Sequence, residues 1–114
     1  MEDCIFCKII NKEIPAEIIY ENEFAVVFKD IHPQASVHVV VVPKKHIKSL
    51  NYIDETFSAD LLGIHLAVKE VAKMLGVSES GYRLISNCGK NAGQSVFHLH
   101  YHLIAGSKLG QKLL

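Results

Sequence analysis

The sequence predicts an α+β fold, in which a mainly antiparallel, five-stranded sheet is accompanied by one long and one short helix. Three observations carry this prediction. One central segment has helical periodicity, short strand-like segments lie on both sides of it, and the last of them alternates histidine with apolar residues. Because strands and helices do not alternate along the chain, a meander-like sheet is favoured over parallel βαβ units.

The N-terminal third predicts one short helical turn followed by three strands. The helical turn runs through Ile9 and Ile10 and ends before Pro15, because a proline disfavours helical backbone at the residue preceding it. The third strand is β-branched at almost every position, which is typical of a central strand, and it ends at Pro43. The three predicted strands are residues 18–20, 24–28 and 37–42.

Apolar residues spaced alternately by four and three predict one amphipathic helix in the middle of the chain. Asp54 or Thr56 can cap its start, and Gly76 fits its C-terminal end. Two further strands, residues 82–87 and 96–105, are predicted after it. The apolar positions of the helix are Phe57, Leu61, Ile64, Val68, Val71 and Leu75.

Three histidines, His98, His100 and His102, occupy every second position of the last predicted strand. Successive side chains of a strand point to opposite faces, so the three imidazoles are expected on one face, roughly 7 Å apart, with apolar residues behind them. Such a row can bind a metal or a phosphoryl group, or perform proton and nucleophile chemistry near neutral pH. The alternative is a strand whose exposed polar face happens to be histidine; the adjacent apolar positions disfavour it.

Length and composition restrict the class of protein. A chain of 114 residues forms one domain, residues 1–114, with a substantial core. Lys+Arg 12 against Asp+Glu 12 leaves no net charge, so neither nucleic acid nor a membrane is an expected partner. The acidic start and the odd number of cysteines, 3, predict a reduced, cytoplasmic location.

Cys4 and Cys7 form a CxxC motif, which is half of a tetrahedral zinc site. There is no second CxxC, so any further ligands must be histidines or acids. The alternatives are a redox pair or two small buried thiols. A thioredoxin-type motif should follow a strand and open a long helix, whereas this motif starts the chain.

The run His-Leu-His-Tyr-His-Leu-Ile, which begins at His98, resembles the His-φ-His-φ-His-φ-φ signature of the histidine triad (HIT) family. The resemblance covers roughly residues 4–106 and is closest to the Hint branch, so it implies a single HIT domain with a HIT-like fold. Relatives are homodimers whose sheets join into one, with the long helix at the interface. The other matching segments are Cys-Ile-Phe-Cys-Lys-Ile-Ile, Glu-Ile-Pro-Ala, Phe-Lys-Asp-Ile-His-Pro-Gln-Ala, Val-Pro-Lys-Lys-His-Ile and Gly-Gln-Ser-Val-Phe-His.

The resemblance implies a nucleoside phosphoramidase, which cleaves the P–N bond of purine nucleoside 5′-phosphoramidates or related acyl-adenylates through a nucleotidyl-histidine. The uridylyltransferase branch carries Gln at the third triad position, whereas this chain has His102, which favours hydrolysis. Two alternatives stay open: a dinucleoside polyphosphate hydrolase, and a purine nucleotide-binding module whose catalysis is incidental.

Roles for the catalytic residues follow from the same resemblance. His100 matches the nucleophile, and the backbone carbonyl of His98 is expected to fix its tautomer. His102 and His38 are expected to hold or polarise the phosphoryl oxygens, and Ser95 to donate to the phosphate or the leaving group. Judged alone, His38 would more often be a satisfied core histidine.

For the nucleotide, the resemblance assigns the ribose hydroxyls to Asp30 and the base to Ile31. Without the family context, Asp30 would more often be a loop carboxylate that bonds its own backbone, and Asn87 could be a strand-end turn residue. The residues expected to line the phosphate side are Asn87, Gly93, Gln94 and Ser95, together with His100 and His102.

The resemblance also completes the metal site. In bacterial-type relatives the two cysteines are joined by histidines that correspond to His46 and His98. Such a Zn²⁺ site would be closed and structural, and it would tie the N-terminus to the histidine row. No cofactor is expected to be needed for catalysis.

Overall fold

The computed structural model describes residues 3–106 and 109–110. The strands within this part are β1 (Ile18–Glu21), β2 (Ala25–Lys29), β3 (Val37–Pro43), β4 (Tyr82–Ile85) and β5 (Tyr101–Ala105). The helices are α1 (Ile5–Ile10) and α2 (Ser58–Met74), with three single 3₁₀ turns, Leu50–Tyr52, Glu55–Phe57 and Lys90–Ala92. The five strands form one sheet in the order β1-β2-β3-β5-β4, with every pair antiparallel. The predicted α+β class and five-stranded antiparallel sheet are confirmed.

The middle strand, β3, is buried on both of its faces, because helices cover both sides of the sheet. Val39 and Val41 belong to the larger core, which α2 covers. Val40 and Val42 point the other way, into a smaller core with residues of α1. A strand with two apolar faces needs apolar residues at consecutive positions, which accounts for the valine run.

The long helix lies close to its predicted position. The Asp54 side chain accepts a hydrogen bond of 2.9 Å from the backbone N–H of Thr56, and so caps a 3₁₀ turn that leads into α2 at Ser58. Gly76 follows the helix with a φ of 72°, a conformation that glycine adopts without steric cost. No helix of the described residues is long and apolar enough to cross a membrane.

The predicted extent of the last strand is wrong: regular pairing begins at Tyr101, not at residue 96. Its neighbour β3 ends at Pro43, which has no N–H to donate, and the Pro43 carbonyl instead binds the His98 side chain at 2.8 Å. The N–H of Leu99 donates to the Ile47 carbonyl, beyond the end of β3. Leu99 still lies in the larger core with Tyr101, whereas Phe97, expected in that core, is 55% exposed.

Candidate active site and metal centre

His100 is buried, with 5% of its surface exposed. A backbone carbonyl determines which of its two ring nitrogens carries the proton. Its Nδ1 lies 2.7 Å from the carbonyl oxygen of His98, which can only accept, so Nδ1 carries the proton. Nε2 therefore carries the lone pair. Burial lowers the pKa of His100, and the bond to the His98 carbonyl opposes this shift only in part, so the ring is neutral near neutral pH. A neutral imidazole with a free Nε2 is a competent nucleophile.

His38 and His102 form a second pair whose tautomers are also fixed. His38 lies on β3 and His102 on β5, two residues apart in the register and so on the same face, and their Nε2 and Nδ1 atoms are 2.9 Å apart. The backbone N–H of Gln34 donates to Nδ1 of His38 at 2.9 Å, so the proton of neutral His38 must be on Nε2. His38 then donates to Nδ1 of His102, which leaves His102 with its proton on Nε2. Burial lowers the pKa of His102.

Asp30 brings a carboxylate to this histidine pair. Its Oδ2 lies 3.4 Å from Nε2 of His38 and 3.8 Å from Nδ1 of His102. Its Oδ1 accepts a hydrogen bond of 2.8 Å from the backbone N–H of His32, which is the local loop bond that Asp30 would make without any functional role. The two oxygens thus have different partners: one holds the loop, and the other faces the histidines.

The remaining predicted binding residues differ in how accessible they are to a ligand. Ile31, next to Asp30, is 85% exposed, which leaves its side chain accessible to a ligand. Ser95 and Gly93 are exposed, and Asn87 is half-buried. Gln94 is buried, and its side-chain amide is used entirely within the protein: it accepts from the N–H of Gly89 and donates to the carbonyls of Lys48 and Val96. Its backbone N–H donates to the Gly89 carbonyl.

Cys4, Cys7, His46 and His98 converge in a second cluster, with all four potential ligand atoms within 4.8 Å of one another. Cys4 caps α1, where its Sγ accepts from the N–H of Cys7 at 3.4 Å. His46 follows β3 and His98 precedes β5. The cluster therefore joins the N-terminal helix to the two central strands.

The spacing within this cluster fits a tetrahedral zinc ion. Sγ of Cys4 and Sγ of Cys7 lie 3.4 and 3.5 Å from Nδ1 of His98, and Sγ of Cys7 lies 3.4 Å from Nδ1 of His46. The two Nδ1 atoms are 3.2 Å apart. Zinc–sulfur bonds of about 2.3 Å and zinc–nitrogen bonds of about 2.0 Å at tetrahedral angles place such donors roughly 3.3–3.8 Å apart.

A second group of residues, Asp30, His38 and His102, could also hold a metal ion. The two groups differ in which histidine nitrogens carry a proton and which offer a lone pair. Nε2 of His98 donates to the Pro43 carbonyl, and burial lowers the pKa of His98 to about 4, so its Nδ1 offers a lone pair to a metal. At His38 the Gln34 N–H forces the proton onto Nε2, the atom that would have to bind the ion. The donor set therefore suits a metal at the Cys/His cluster and disfavours one at the Asp30 group.

Sequence reasoning missed two contacts of His100. The Phe6 ring lies edge-on to the imidazole, and the Ser86 hydroxyl donates to the His100 carbonyl. Phe6 stands between the cysteines of the CxxC motif, so its position near His98 could have been predicted from the expected metal site. No sequence pattern marks Ser86.

Fold and histidine row together define a histidine-triad protein. Residues 11–109 match the HIT domain family. A HIT family hydrolase from Clostridium thermocellum superposes with a TM-score of 0.96 at 52% identity, covering 100% of this chain and 99% of that chain. A histidine triad protein from Clostridium difficile gives 0.94 at 44% identity, covering 99% and 98%. The chain is also 38% identical over 112 residues to the purine nucleoside phosphoramidase of Escherichia coli, covering 98% of this chain and 94% of that protein. The chain therefore belongs to the HIT family and is a hydrolase of the HIT superfamily.

Proposed function

We propose that this hydrolase is a purine nucleoside phosphoramidase, which cleaves the P–N bond of adenosine 5′-phosphoramidates or acyl-adenylates. The observation that carries the proposal is the bond from Nδ1 of His100 to the His98 carbonyl, because it leaves Nε2 as a neutral nucleophile in a buried place. The relative of 38% identity named purine nucleoside phosphoramidase supports the substrate class.

In the first step, Nε2 of His100 attacks the α-phosphorus and the P–N bond to the leaving amine breaks. The bonding electrons go to the amine nitrogen, which takes up one proton from the solvent, and the attacking water of the second step gives one proton back. In the second step, water attacks the nucleotidyl-histidine, releases the nucleoside 5′-monophosphate and restores His100. The two steps consume one water molecule and produce one amine and one nucleotide.

His102 is the hydrogen-bond donor to the reacting phosphoryl group, because its proton is on Nε2. His38 has no free ring nitrogen: Nδ1 accepts from Gln34, and Nε2 faces His102 and Asp30. We therefore assign His38 to fixing the His102 tautomer rather than to direct contact with the phosphoryl oxygens. Loss of one donor to a developing oxyanion typically costs about 100- to 1,000-fold in rate.

The nucleotide is bound by residues around this centre. Asp30 receives the ribose hydroxyls through the carboxylate oxygen that faces the histidines, and the exposed Ile31 packs on the base. Asn87, Gly93 and Ser95 line the phosphate side, with the Ser95 hydroxyl as a donor. Gln94 contributes by holding the loop in shape, because its side-chain amide and its backbone N–H are already bonded.

Zn²⁺ is the proposed ligand of Cys4, Cys7, His46 and His98. The four donor atoms match the spacing of a tetrahedral site and leave no position for a reacting water, so the ion would be structural. The ion would also affect the active site, because the ring of His98 would bind the metal and the carbonyl of His98 orients His100.

We also propose a homodimer. β4 stands at one edge of the sheet with no strand on its outer side among the described residues, and strand edges of this kind pair readily with another copy. On α2, Leu62 and Leu66 are 61% and 49% exposed, one turn apart. Two-fold pairing of β4 would extend the sheet across both copies.

Sedimentation tests the dimer: we expect twice the chain mass of 12.7 kDa at micromolar concentrations, and a shift toward the monomer in Leu66→Glu. A monomer mass for the parent protein over that range would contradict the dimer without affecting the assignment of the active site.

The reaction class is tested by comparing two substrates at equal concentration, adenosine 5′-phosphoramidate and a dinucleoside polyphosphate. We expect the phosphoramidate to have the higher kcat/KM. The reverse order would assign the site to dinucleoside polyphosphate hydrolysis, and negligible turnover of both with retained nucleotide binding would favour a binding module.

A further inference from the structure

Phe6 and Ser86 hold the residue that we propose as the nucleophile from two sides. Phe6 lies on α1, and Ser86 directly follows β4. The Phe6 ring packs against the imidazole ring of His100, and the Ser86 hydroxyl bonds its carbonyl oxygen. Both residues are thus placed to affect where Nε2 points without taking part in the chemistry.

The Phe6 ring contacts the His100 imidazole edge-on, with centroids 5.0 Å apart and planes at 81°. The same ring lies 6.0 Å from the His98 imidazole and 5.5 Å from Phe28, so core residues fix it in turn. Edge-to-face pairs at these separations are favourable and directional. Because the second side-chain torsion of a histidine is broad, the single bond at Nδ1 leaves the ring free to rock about it, and a ring packed at right angles restricts that motion.

Ser86 acts on the backbone of His100. The β4–β5 ladder ends with the pair Ile85 and His102, so no backbone N–H of β4 reaches the His100 carbonyl. The Ser86 hydroxyl donates to that oxygen at 2.8 Å. A side-chain donor thereby replaces the ladder at the point where the sheet stops, and it anchors the main chain from which the imidazole extends.

We propose that Phe6 and Ser86 are positioning residues for His100, which keep Nε2 in line with the α-phosphorus. The His98 carbonyl fixes which ring nitrogen carries the proton, Phe6 restricts the ring plane, and Ser86 anchors the backbone. The inference rests on the proposed function of His100. It also gives the CxxC segment a second role, because Phe6 sits between the two cysteines that would hold the metal.

The test uses Phe6→Leu, which removes the ring edge, and Ser86→Val, which removes the hydroxyl and matches the Ser86→Thr variant in size. We expect each to lower kcat on adenosine 5′-phosphoramidate about 10- to 100-fold with little change in KM, because small misplacement of a reacting group is costly. Ser86→Thr keeps the hydroxyl and is expected to restore the rate.

Nitrogen NMR of the histidine rings gives a readout that is independent of turnover. The parent protein should show sharp His100 ring resonances of the single Nδ1–H tautomer, and Phe6→Leu and Ser86→Val should shift or broaden them, because the imidazole is then freer to rock. Unchanged kcat and unchanged His100 ring resonances in both variants would overturn the proposal, as would a raised KM alone. If the parent protein does not cleave the phosphoramidate, the proposed function fails, while the NMR result still decides whether the two residues position His100.

Discussion

Replacement of His100 by alanine is expected to lower kcat for adenosine 5′-phosphoramidate by at least about 10⁴-fold, because the reaction loses the atom that forms the covalent bond to phosphorus. The fold should persist. Within the described part of the chain the imidazole makes a single hydrogen bond, to the His98 carbonyl, and the loss of one buried partner costs about 1–3 kcal/mol. Steady-state kinetics and thermal unfolding, measured on the same preparation, separate the two effects.

His65→Ala is the matched control for this variant. His65 lies on α2, is exposed, and bonds only the carbonyl of its own helix besides its ring contact with Tyr101. Its removal should leave kcat unchanged. Equal activity in His100→Ala and the parent protein would remove the nucleophile from the mechanism.

Cys7→Ala is expected to abolish tight zinc binding and to lower the melting temperature substantially. Cys7 is in contact with both candidate histidine ligands, so its loss would leave three of the four donors of the proposed site. Structural zinc sites can contribute about 10 kcal/mol or more of binding free energy. A loss of even about 3 kcal/mol would lower the melting temperature of a domain of this size by roughly 10 °C or more. Metal analysis of the purified chain and thermal unfolding, with and without a chelator, provide the measurement.

Cys88→Ala is the control for this second prediction, because Cys88 is the one free cysteine of the described residues outside the cluster. It should keep about one zinc per chain and the parent melting temperature. His98→Ala should lose both stability and rate, since in the proposed site His98 would bind the metal through Nδ1, and its carbonyl orients His100. If His98→Ala and His100→Ala both melt like the parent protein, the metal centre is wrong.

Much of the fold could be predicted because its signals are local. The valine run of β3 and the four-and-three spacing of α2 each report one element from consecutive residues, and both elements lie close to where the sequence placed them. The start of β5 could not be found in this way. It depends on Pro43 ending the neighbouring strand and on the His98 ring taking the Pro43 carbonyl, 55 residues away in sequence.

In the candidate site, too, local features could be predicted from the sequence, whereas contacts between distant residues could not. The histidine row is visible in ten consecutive residues, but the pairing of His38 with His102 spans 64 positions and that of Cys4 with His98 spans 94. His38 and His46 therefore entered by family resemblance, and no spacing rule could have supplied them. Tautomers lay beyond the sequence altogether, because single backbone groups of Gln34, Pro43 and His98 decide them.

Mass spectrometry of the protein after brief exposure to adenosine 5′-phosphoramidate tests the central claim most directly. We expect a nucleotidyl adduct that maps to the peptide containing His100, is absent in His100→Ala, and decays as the nucleoside monophosphate is released. An adduct on another residue, or full turnover without any adduct on rapid quenching, would contradict His100 as the nucleophile.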